Sequence, residues 1–313
     1  MNRRGLLATL AALPFAGAAQ AQVVAQAGAI AGGRLVEYEA VASAHLGPRN
    51  VTVWLPPGYD AGSDRHPVLY MHDGQNLFDP ARANFGEWGV DEHLVRLIET
   101  GQVRAPIVVG VWNTPLRLRE YAPADLIAAL PAEVRDSLMP MYGGAPLSDE
   151  YLRFLVEELK PSIDSEYRTL PGRDETVIAG SSMGGLISLY AMMKHPDVFG
   201  AAGCLSTHWP LRLERLEGDA LNTWREAVVQ AWSDVIRRGL PDPAKHRLYM
   251  DRGDETLDQF YVFFQSRIDT VIRDAGWGPD RFRTLVFPTA EHNEKSWNSR
   301  LDVPLTFLLS PNL

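Results

Sequence analysis

Cysteine is almost missing from this sequence. The 313 residues include a single cysteine, Cys204. No disulfide can therefore form within the chain, and its stability must come from a packed core. Cys204 lies in the apolar run GAAGCLS, which is typical of a buried, unreactive thiol rather than of a nucleophile. We interpret it as part of the core.

The chain also lacks an excess of positive charge. Lysine and arginine number 30 against 39 aspartates and glutamates, which gives a formal net charge of −9. The charge becomes −11 if residues 1–21, which contain two arginines, are removed. Nucleic acids and anionic membrane surfaces both need a basic face on their protein partner. The composition therefore argues against both as partners.

No apolar run is long enough to span a membrane. The apolar stretch from Gly5 to Ala19 is broken by polar and helix-breaking residues, follows two arginines, and ends in a small-x-small pattern at 19–21. This predicts an export signal over 1–21, with a membrane anchor as the alternative and a flexible segment over 22–33. The mature chain is expected to be periplasmic or secreted, and the paired arginines leave both general and twin-arginine export open.

Extended apolar runs alternate with helical patterns along the rest of the chain. Several of the extended runs are apolar without alternation, which is typical of strands buried on both faces. The pattern predicts a single α/β domain over 34–313, with a mostly parallel sheet of about eight strands and helices on both faces. Residues 207–245 are expected to form a helical cap. The predicted later strands lie at 67–73, 106–113, 175–180, 200–206, 246–251 and 281–288.

A Gly-x-Ser-x-Gly turn stands between a predicted strand and a predicted helix. The segment TVIAGSSMGGLISLY places Gly180 and Gly184 on either side of Ser182. This pattern indicates a nucleophile elbow, in which the glycines leave room for a serine at the tip of a strained turn. The helix that follows directs free N–H groups to the same point, so the amide of Met183 is expected to stabilise an oxyanion.

The base that activates the serine is identified by elimination among eight histidines. In such a fold the order is Ser, acid, His, with the histidine after the last strand. Only His292 follows the last predicted strand. His72 and His208 also follow strands, and we expect them to border the site without acting as its base.

The acid is expected after the strand HRLYMD, in the segment RGDETLDQFY. Glu255, Asp258 and Asp254 are all candidates there. Glu255 is favoured because a helix that starts near 256 or 257 leaves it on the turn, whereas Asp258 would only suit the helix dipole. A second oxyanion donor is expected from the backbone amide of Gln75, in the loop after PVLYMHD.

Several motifs together resemble the esterase D-like branch of the α/β-hydrolases. The motifs are HDGQNLFD, GSSMGGLISLY, KPSIDSEYR, STHW and EHNE followed by tryptophan, and they extend over residues 34–310. The resemblance implies an α/β-hydrolase fold and a serine esterase with Ser182 as nucleophile, His292 as base, and the amides of Gln75 and Met183 as oxyanion hole. It also implies that residues 117–123 contribute to the pocket rim. The position where many members carry the acid is Thr256 here.

Three other interpretations remain open at this point. The first is an acyltransferase that uses the same acyl-enzyme. The second is a noncatalytic carbohydrate- or siderophore-binding module with tryptophans as stacking surfaces. The third is metal-dependent hydrolysis, which is disfavoured because no H-E-x-x-H motif or second histidine pair occurs. The leading hypothesis is a serine ester hydrolase that needs no cofactor or metal, with an ester of modest size as partner.

Overall fold

The computed structural model of the protein describes residues 21–23, 30–83 and 86–310. The strands of these residues form one nine-stranded sheet in the order β1-β2-β3-β5-β4-β6-β7-β8-β9. The three strands β1 to β3 pair antiparallel, and β4 to β9 run parallel to one another. Strands β1 to β9 lie at Ala21–Val23, Arg34–Val41, Arg49–Leu55, Val68–His72, Ile107–Val111, Thr176–Ser181, Ala201–Leu205, Arg247–Arg252 and Phe282–Val286.

Helices cover both faces of the sheet, as predicted. Helices α1 to α11 lie at Val90–Glu99, Arg117–Tyr121, Ala124–Ala129, Ala132–Tyr142, Ser148–Arg153, Lys160–Glu166, Met183–Lys194, Gly218–Gly239, Val262–Asp274, Glu294–Asn298 and Asp302–Leu309. A π-helical stretch, Phe154–Leu159, joins α5 to α6, and short 3-10 turns lie at Tyr59–Ala61, Gly74–Asn76, Arg173–Glu175 and Asp258–Phe260.

The core is divided by the sheet into two layers. In β4, Val68 and Tyr70 pack into the layer that contains α7, α8 and α9, whereas Leu69 and Met71 pack into the layer that contains α1 and α11. Successive side chains of a strand point to opposite faces, so a strand covered on both sides must be apolar throughout. This explains the unbroken apolar runs of the sequence. Cys204 is fully buried within the core, as interpreted above.

The segment 207–245, for which a helical cap was predicted, contains one long helix. Its helix, α8, is the crossover between the parallel strands β7 and β8, and it buries Val228, Trp232 and Ile236 in the core. An amphipathic surface serves a crossover helix as well as a cap, so the sequence pattern did not distinguish them.

The N-terminal segment also differs in part from its prediction. Residues 1–20 of the predicted export signal lie outside the described residues. Within the segment predicted to be flexible, the amide of Ala31 donates to Asp91 at 2.8 Å, and the carbonyl of Gly32 accepts from Trp54 at 2.8 Å. Residues 30–33 are thus held against the domain. No helix among the described residues is both long and apolar enough to cross a membrane.

Candidate active site

The carboxyl ends of the parallel strands meet at one cavity of about 500 Å³. Ser182 and His292, which are 110 positions apart in sequence, both line it. Loops after parallel strands that share an edge converge in this way, which is why ligands bind there in α/β sheets. The structure thus brings together the two side chains that the sequence assigned as nucleophile and base. The lining residues are Asp73, Asn76, Asn113, Thr114, Arg117, Ser181, Ser182, His292, Asn293, Glu294 and Trp297.

Ser182 occupies the strained turn expected of a nucleophile elbow. Its backbone has φ 57° and ψ −120°, and it caps α7 directly after β6. A nonglycine residue at such angles is strained, and strain of this kind is typical of functional sites. Gly180 is needed for close packing, because an added Cβ would lie 3.0 Å from the ring of His72 and 3.1 Å from the Gly184 backbone.

His292 is held by Asp258. Its Nδ1 atom lies 2.6 Å from Oδ1 of Asp258, whose side chain is fully buried. The other carboxylate oxygen accepts hydrogen bonds from the Gly253 amide at 2.6 Å and from the Ser206 hydroxyl at 2.5 Å. Burial raises the pKa of Asp258, but the hydrogen bond from His292, its charge, and the donors Ser206 and Gly253 outweigh this and lower it. Asp258 is therefore an ionised acceptor that fixes the imidazole.

The structure does not bring Glu255, the acid that the sequence favoured, to His292, which is hydrogen-bonded to Asp258 instead. Glu255 and Asp254 are both exposed, and the carboxylate of Asp254 accepts from the Thr289 amide at 2.6 Å. The reason lies in the turn after β8, where Thr256 has φ 49° and a 3-10 turn precedes α9. The chain therefore turns between Glu255 and Asp258, so Asp258 opens the 3-10 turn before α9 instead of lying in the first turn of α9, and its carboxylate reaches His292.

A buried polar chain that the sequence did not reveal lies behind Asp258. The hydroxyl of Ser206 accepts from Nε1 of Trp297 at 3.0 Å and from Arg300 at 2.8 Å, while it donates to Asp258. Arg300 in turn pairs with the buried Asp251 at 3.0 Å. A hydroxyl that receives two donors has its own proton left for the carboxylate. The available signal was the STHW motif, which contains Ser206.

The two predicted oxyanion amides lie next to the cavity. Met183 is the first residue of α7, so its N–H belongs to the first turn, where amides have no intrahelical acceptor. Gln75 lies in the 3-10 turn between the lining residues Asp73 and Asn76, although Gln75 itself is not a lining residue. Asp73 begins that turn with φ 57°. The oxyanion-hole role of these two amides therefore stays a prediction.

Opposite charges face each other at another wall of the cavity. Arg117 binds both carboxylate oxygens of Asp73 at 2.7 Å, and Asn113 donates to the same group at 2.6 Å. Burial raises the pKa of Asp73, but Arg117 outweighs it and lowers that pKa. Glu294 is another acidic residue in the lining of this cavity, and burial raises its pKa. Of the segment 117–123 expected at the rim, Arg117 is the residue that lines the cavity.

The two other histidines near the site are poor bases. Burial lowers the pKa of both His72 and His208 to about 3. The Nδ1 atom of His72 lies 2.8 Å from the hydroxyl of Tyr151, and that of His208 lies 2.7 Å from the hydroxyl of Tyr261. Both are therefore neutral. The sequence suggested that they border the site, but neither lines the cavity, although the amide of His208 donates to the carbonyl of Ser182 at 3.1 Å.

The groups named for the alternative functions are also placed. Among the described residues, the one group of three carboxylates able to hold a metal ion comprises Glu87, Asp91 and Glu92, none of which lines the cavity. The tryptophans considered as stacking surfaces are mostly core residues, and only Trp297 among them lines the cavity. Those nearly or fully buried are Trp54, Trp88, Trp209 and Trp297.

Comparison with known sequences places the chain among esterases. The profile of the family described as "Putative esterase" matches residues 43–306. The chain is 29% identical over 275 residues to the uncharacterized protein YbbA of Bacillus subtilis (strain 168), covering 85% of this chain and 94% of YbbA. It is 29% identical over 156 residues to the ferri-bacillibactin esterase BesA of the same organism, covering 46% of this chain and 49% of BesA.

Solved structures share the fold. A ferulic acid esterase superposes with a TM-score of 0.64 at 20% identity, covering 89% of this chain and 98% of that one. The enterobactin esterase FES from Shigella flexneri, in the presence of enterobactin, superposes with a TM-score of 0.60 at 18% identity, covering 90% and 60%. Both confirm the predicted α/β-hydrolase architecture.

Proposed function

The chain belongs to the putative esterase family and is a carboxylic ester hydrolase, and from this premise we propose that it acts through an acyl-enzyme on Ser182. The observation that carries the proposal is that Ser182 and His292 line one cavity while Asp258 holds the far nitrogen of His292. Because Nδ1 is bound to Asp258, Nε2 is the nitrogen left to receive the serine proton.

In the first half-reaction, Nε2 of His292 takes the proton of the Ser182 hydroxyl as its oxygen attacks the ester carbonyl carbon. The amides of Met183 and Gln75 donate to the carbonyl oxygen as it becomes negative. When the intermediate collapses, the bond to the alcohol oxygen breaks, and the imidazolium of His292 gives its proton to the leaving alcohol. Asp258 stays ionised throughout and stabilises the imidazolium.

In the second half-reaction, a water molecule replaces the alcohol. His292 takes a proton from this water as its oxygen attacks the acyl carbon, and then returns the proton to Ser182 when the acid leaves. The buried Asp258 keeps the imidazole in the same tautomer for both steps.

The substrates of the relatives suggest an ester of modest size. One relative is a ferri-bacillibactin esterase, and one structural neighbour is a ferulic acid esterase. A cavity of about 500 Å³ lies within the range of small-molecule sites. We therefore propose a small-molecule ester as substrate, with aromatic acyl esters and short-chain esters as the first panel to assay.

The test compares the wild type with Ser182→Ala on p-nitrophenyl acetate and p-nitrophenyl butyrate. We expect hydrolysis by the variant to fall by a factor of about 10⁶, as for other serine triads. Labelling of Ser182 by a fluorophosphonate, located by peptide mass spectrometry, gives an independent measurement. A variant that hydrolyses both esters at the wild-type rate would exclude the acyl-enzyme on Ser182.

We also propose that the mature chain works outside the cytoplasm. The support is the sequence of residues 1–21, with its two arginines, apolar stretch and small residues at 19 and 21. Cell fractionation followed by N-terminal sequencing tests this, with a mature terminus at residue 22 as the expected result. Recovery of the uncleaved chain from the cytoplasm alone would contradict it.

A further inference from the structure

A second cavity lies beside the candidate active site, next to His208. It has a volume of about 250 Å³ and is lined by the loop after β7, the start of α8 and the region before α9. The amide of His208 donates to the carbonyl of Ser182 at 3.1 Å, and its ring pairs with Tyr261. The Tyr261 ring meets that of His292 edge-on, with centroids 5.6 Å apart. His208 and Tyr261, which line the second cavity, thus contact the nucleophile and base residues directly.

The walls of this cavity are mostly apolar. Leu221, Trp224, Phe260 and Phe264 line it. Leu213, at its edge, is 61% exposed, the largest exposure among the big apolar side chains of the described residues. An apolar cavity that ends in an exposed leucine is suited to an apolar ligand, because the ligand would remove that surface from water.

Arginines add positive charge to this apolar lining. Arg212, Arg215 and Arg225 all line the cavity. Arg212 pairs with Glu214 at 3.0 Å, whereas Arg215 and Arg225 have no acidic partner within the described part of the chain. The Nε atoms of Arg212 and Arg225 are buried without a hydrogen-bond partner. Glu217, also in the lining, is exposed.

The unpaired guanidinium groups are held over aromatic rings. That of Arg215 lies 4.4 Å from the ring centroid of Phe260, and that of Arg225 lies 5.0 Å from that of Phe263. Such stacking fixes a guanidinium while its N–H groups stay available for an anion. Two such groups are notable in a chain with a net charge of −9.

Resting on the proposed function of Ser182, we propose that the second cavity binds an apolar arm of the ester substrate that carries an anionic group. The aromatic and leucine side chains would contact the arm, and Arg225 and Arg215 would bind the anion. The arm belongs to either the acyl or the alcohol part of the ester, and its chemistry is the same in both cases.

The test uses matched esters with and without a terminal carboxylate. On the acyl side these are p-nitrophenyl hexanoate and the p-nitrophenyl monoester of adipic acid. On the alcohol side they are hexyl acetate and 6-acetoxyhexanoate. We expect the wild type to prefer the anionic member of one pair, and Arg225→Gln to lower kcat/KM for that member by about tenfold. The kcat/KM of this variant for the neutral member and for p-nitrophenyl acetate should change by less than about twofold.

Two further variants complete the experiment. Leu221→Trp fills the cavity and should reduce hydrolysis of both long esters of that pair while sparing p-nitrophenyl acetate, which also reports folding. If this variant does not fold, Arg225→Gln decides alone. Arg238→Gln, an exposed change on α8 outside the cavity, is the matched control. It should leave the ratio of kcat/KM between the anionic and the neutral ester of each pair unchanged.

The outcomes separate the inference from the function it rests on. An enzyme that hydrolyses p-nitrophenyl acetate through Ser182 but shows the same preference in wild type and Arg225→Gln would overturn the second cavity as a substrate site and leave the proposed function intact. Activity that persists in Ser182→Ala would overturn the proposed function itself.

Discussion

The Nδ1 atom of His292 lies 2.6 Å from Oδ1 of Asp258, a carboxylate that solvent does not reach. Because Gly253 and Ser206 occupy the other oxygen, Asp258 cannot turn away from the imidazole without losing hydrogen bonds in a buried site. The orientation of His292 is therefore set by groups that lie outside the cavity. Of the three candidate acids that the sequence left open, this hydrogen bond favours Asp258 over Glu255 and Asp254.

Replacing Asp258 by asparagine should be far more damaging than replacing either neighbouring acid. Asparagine keeps the shape but favours the wrong tautomer of His292, so we expect kcat to fall by a factor of about 10⁴. Glu255→Gln and Asp254→Asn, both at exposed positions, should stay within about threefold of wild type. The measurement is kcat for p-nitrophenyl acetate. Loss of activity in Glu255→Gln with a fully active Asp258→Asn would reverse the assignment.

Ser206→Ala should make the stability of the protein depend differently on pH. The pKa of Asp258 is lowered in the fold because the hydrogen bond from His292, its charge and the Ser206 hydroxyl outweigh burial. Such a carboxylate stabilises the fold fully above its unfolded pKa of about 3.9, and this stabilisation is lost as the pH falls through the lower folded value. The variant loses part of this stabilisation, so the difference from wild type, about 1–3 kcal/mol at pH 7, should shrink below about pH 4.

Urea unfolding at several pH values between 7 and 3 measures this difference. Ser233→Ala is the matched control, because its hydroxyl is also buried but donates to the carbonyl of Val229 at 2.7 Å. That variant should lose the same amount of stability at every pH. A constant difference for Ser206→Ala as well would mean that Ser206 does not act on the ionisation of Asp258.

The sequence predicted those parts of the site that depend on local patterns. Ser182 stands in a glycine-flanked turn between a strand and a helix, and His292 is the only histidine after the last strand. Ser182 follows from residues within a few positions of it, and His292 follows from the order of the strands, which the apolar runs reveal, so one sequence was enough to predict both residues of this cavity. The sheet was predicted for the same reason, since buried parallel strands read as continuous apolar runs.

The sequence could not predict the parts that depend on distant contacts or on unusual backbone angles. Thr256 has φ 49°, which a β-branched residue rarely adopts, and this turn is what moves Asp258 to His292. The contacts of Ser206 come from Trp297 and Arg300, more than 90 positions away. No local sequence pattern predicts a hydrogen bond between residues so far apart, so the sequence did not reveal the polar chain behind Asp258.

Breaking the buried ion pair between Arg49 and Glu120 should destabilise the protein strongly. The two side chains are 2.9 Å apart and each is 1% exposed. The pair links β3 to α2, and the first residue of α2, Arg117, lines the cavity. Glu120→Ala leaves a buried arginine without a partner, for which we expect a loss of about 3–5 kcal/mol in the free energy of unfolding. The double variant Arg49→Met/Glu120→Leu should recover most of it.

Urea unfolding of these variants at pH 7 gives the measurement. The surface pair between Arg153 and Glu157, with both side chains about half exposed, is the control, and Glu157→Ala should change stability little. If Glu120→Ala costs no more than the surface variant, the buried pair does not hold α2 in place.

Glycine at position 182 should stabilise the protein relative to alanine while both variants lose activity. Ser182 has φ 57° and ψ −120°, a conformation that glycine adopts without the penalty of about 1–3 kcal/mol borne by other residues. Glycine adds about 0.5–1 kcal/mol of chain entropy to the cost of folding. We therefore expect Ser182→Gly to be more stable than Ser182→Ala by about 1 kcal/mol in urea unfolding. At Ser181, whose φ is not left-handed, the order should reverse, because only the entropy cost remains. Equal stability of the two Ser182 variants would mean that the elbow stores no strain, and the cost of holding the nucleophile would then lie elsewhere in the site.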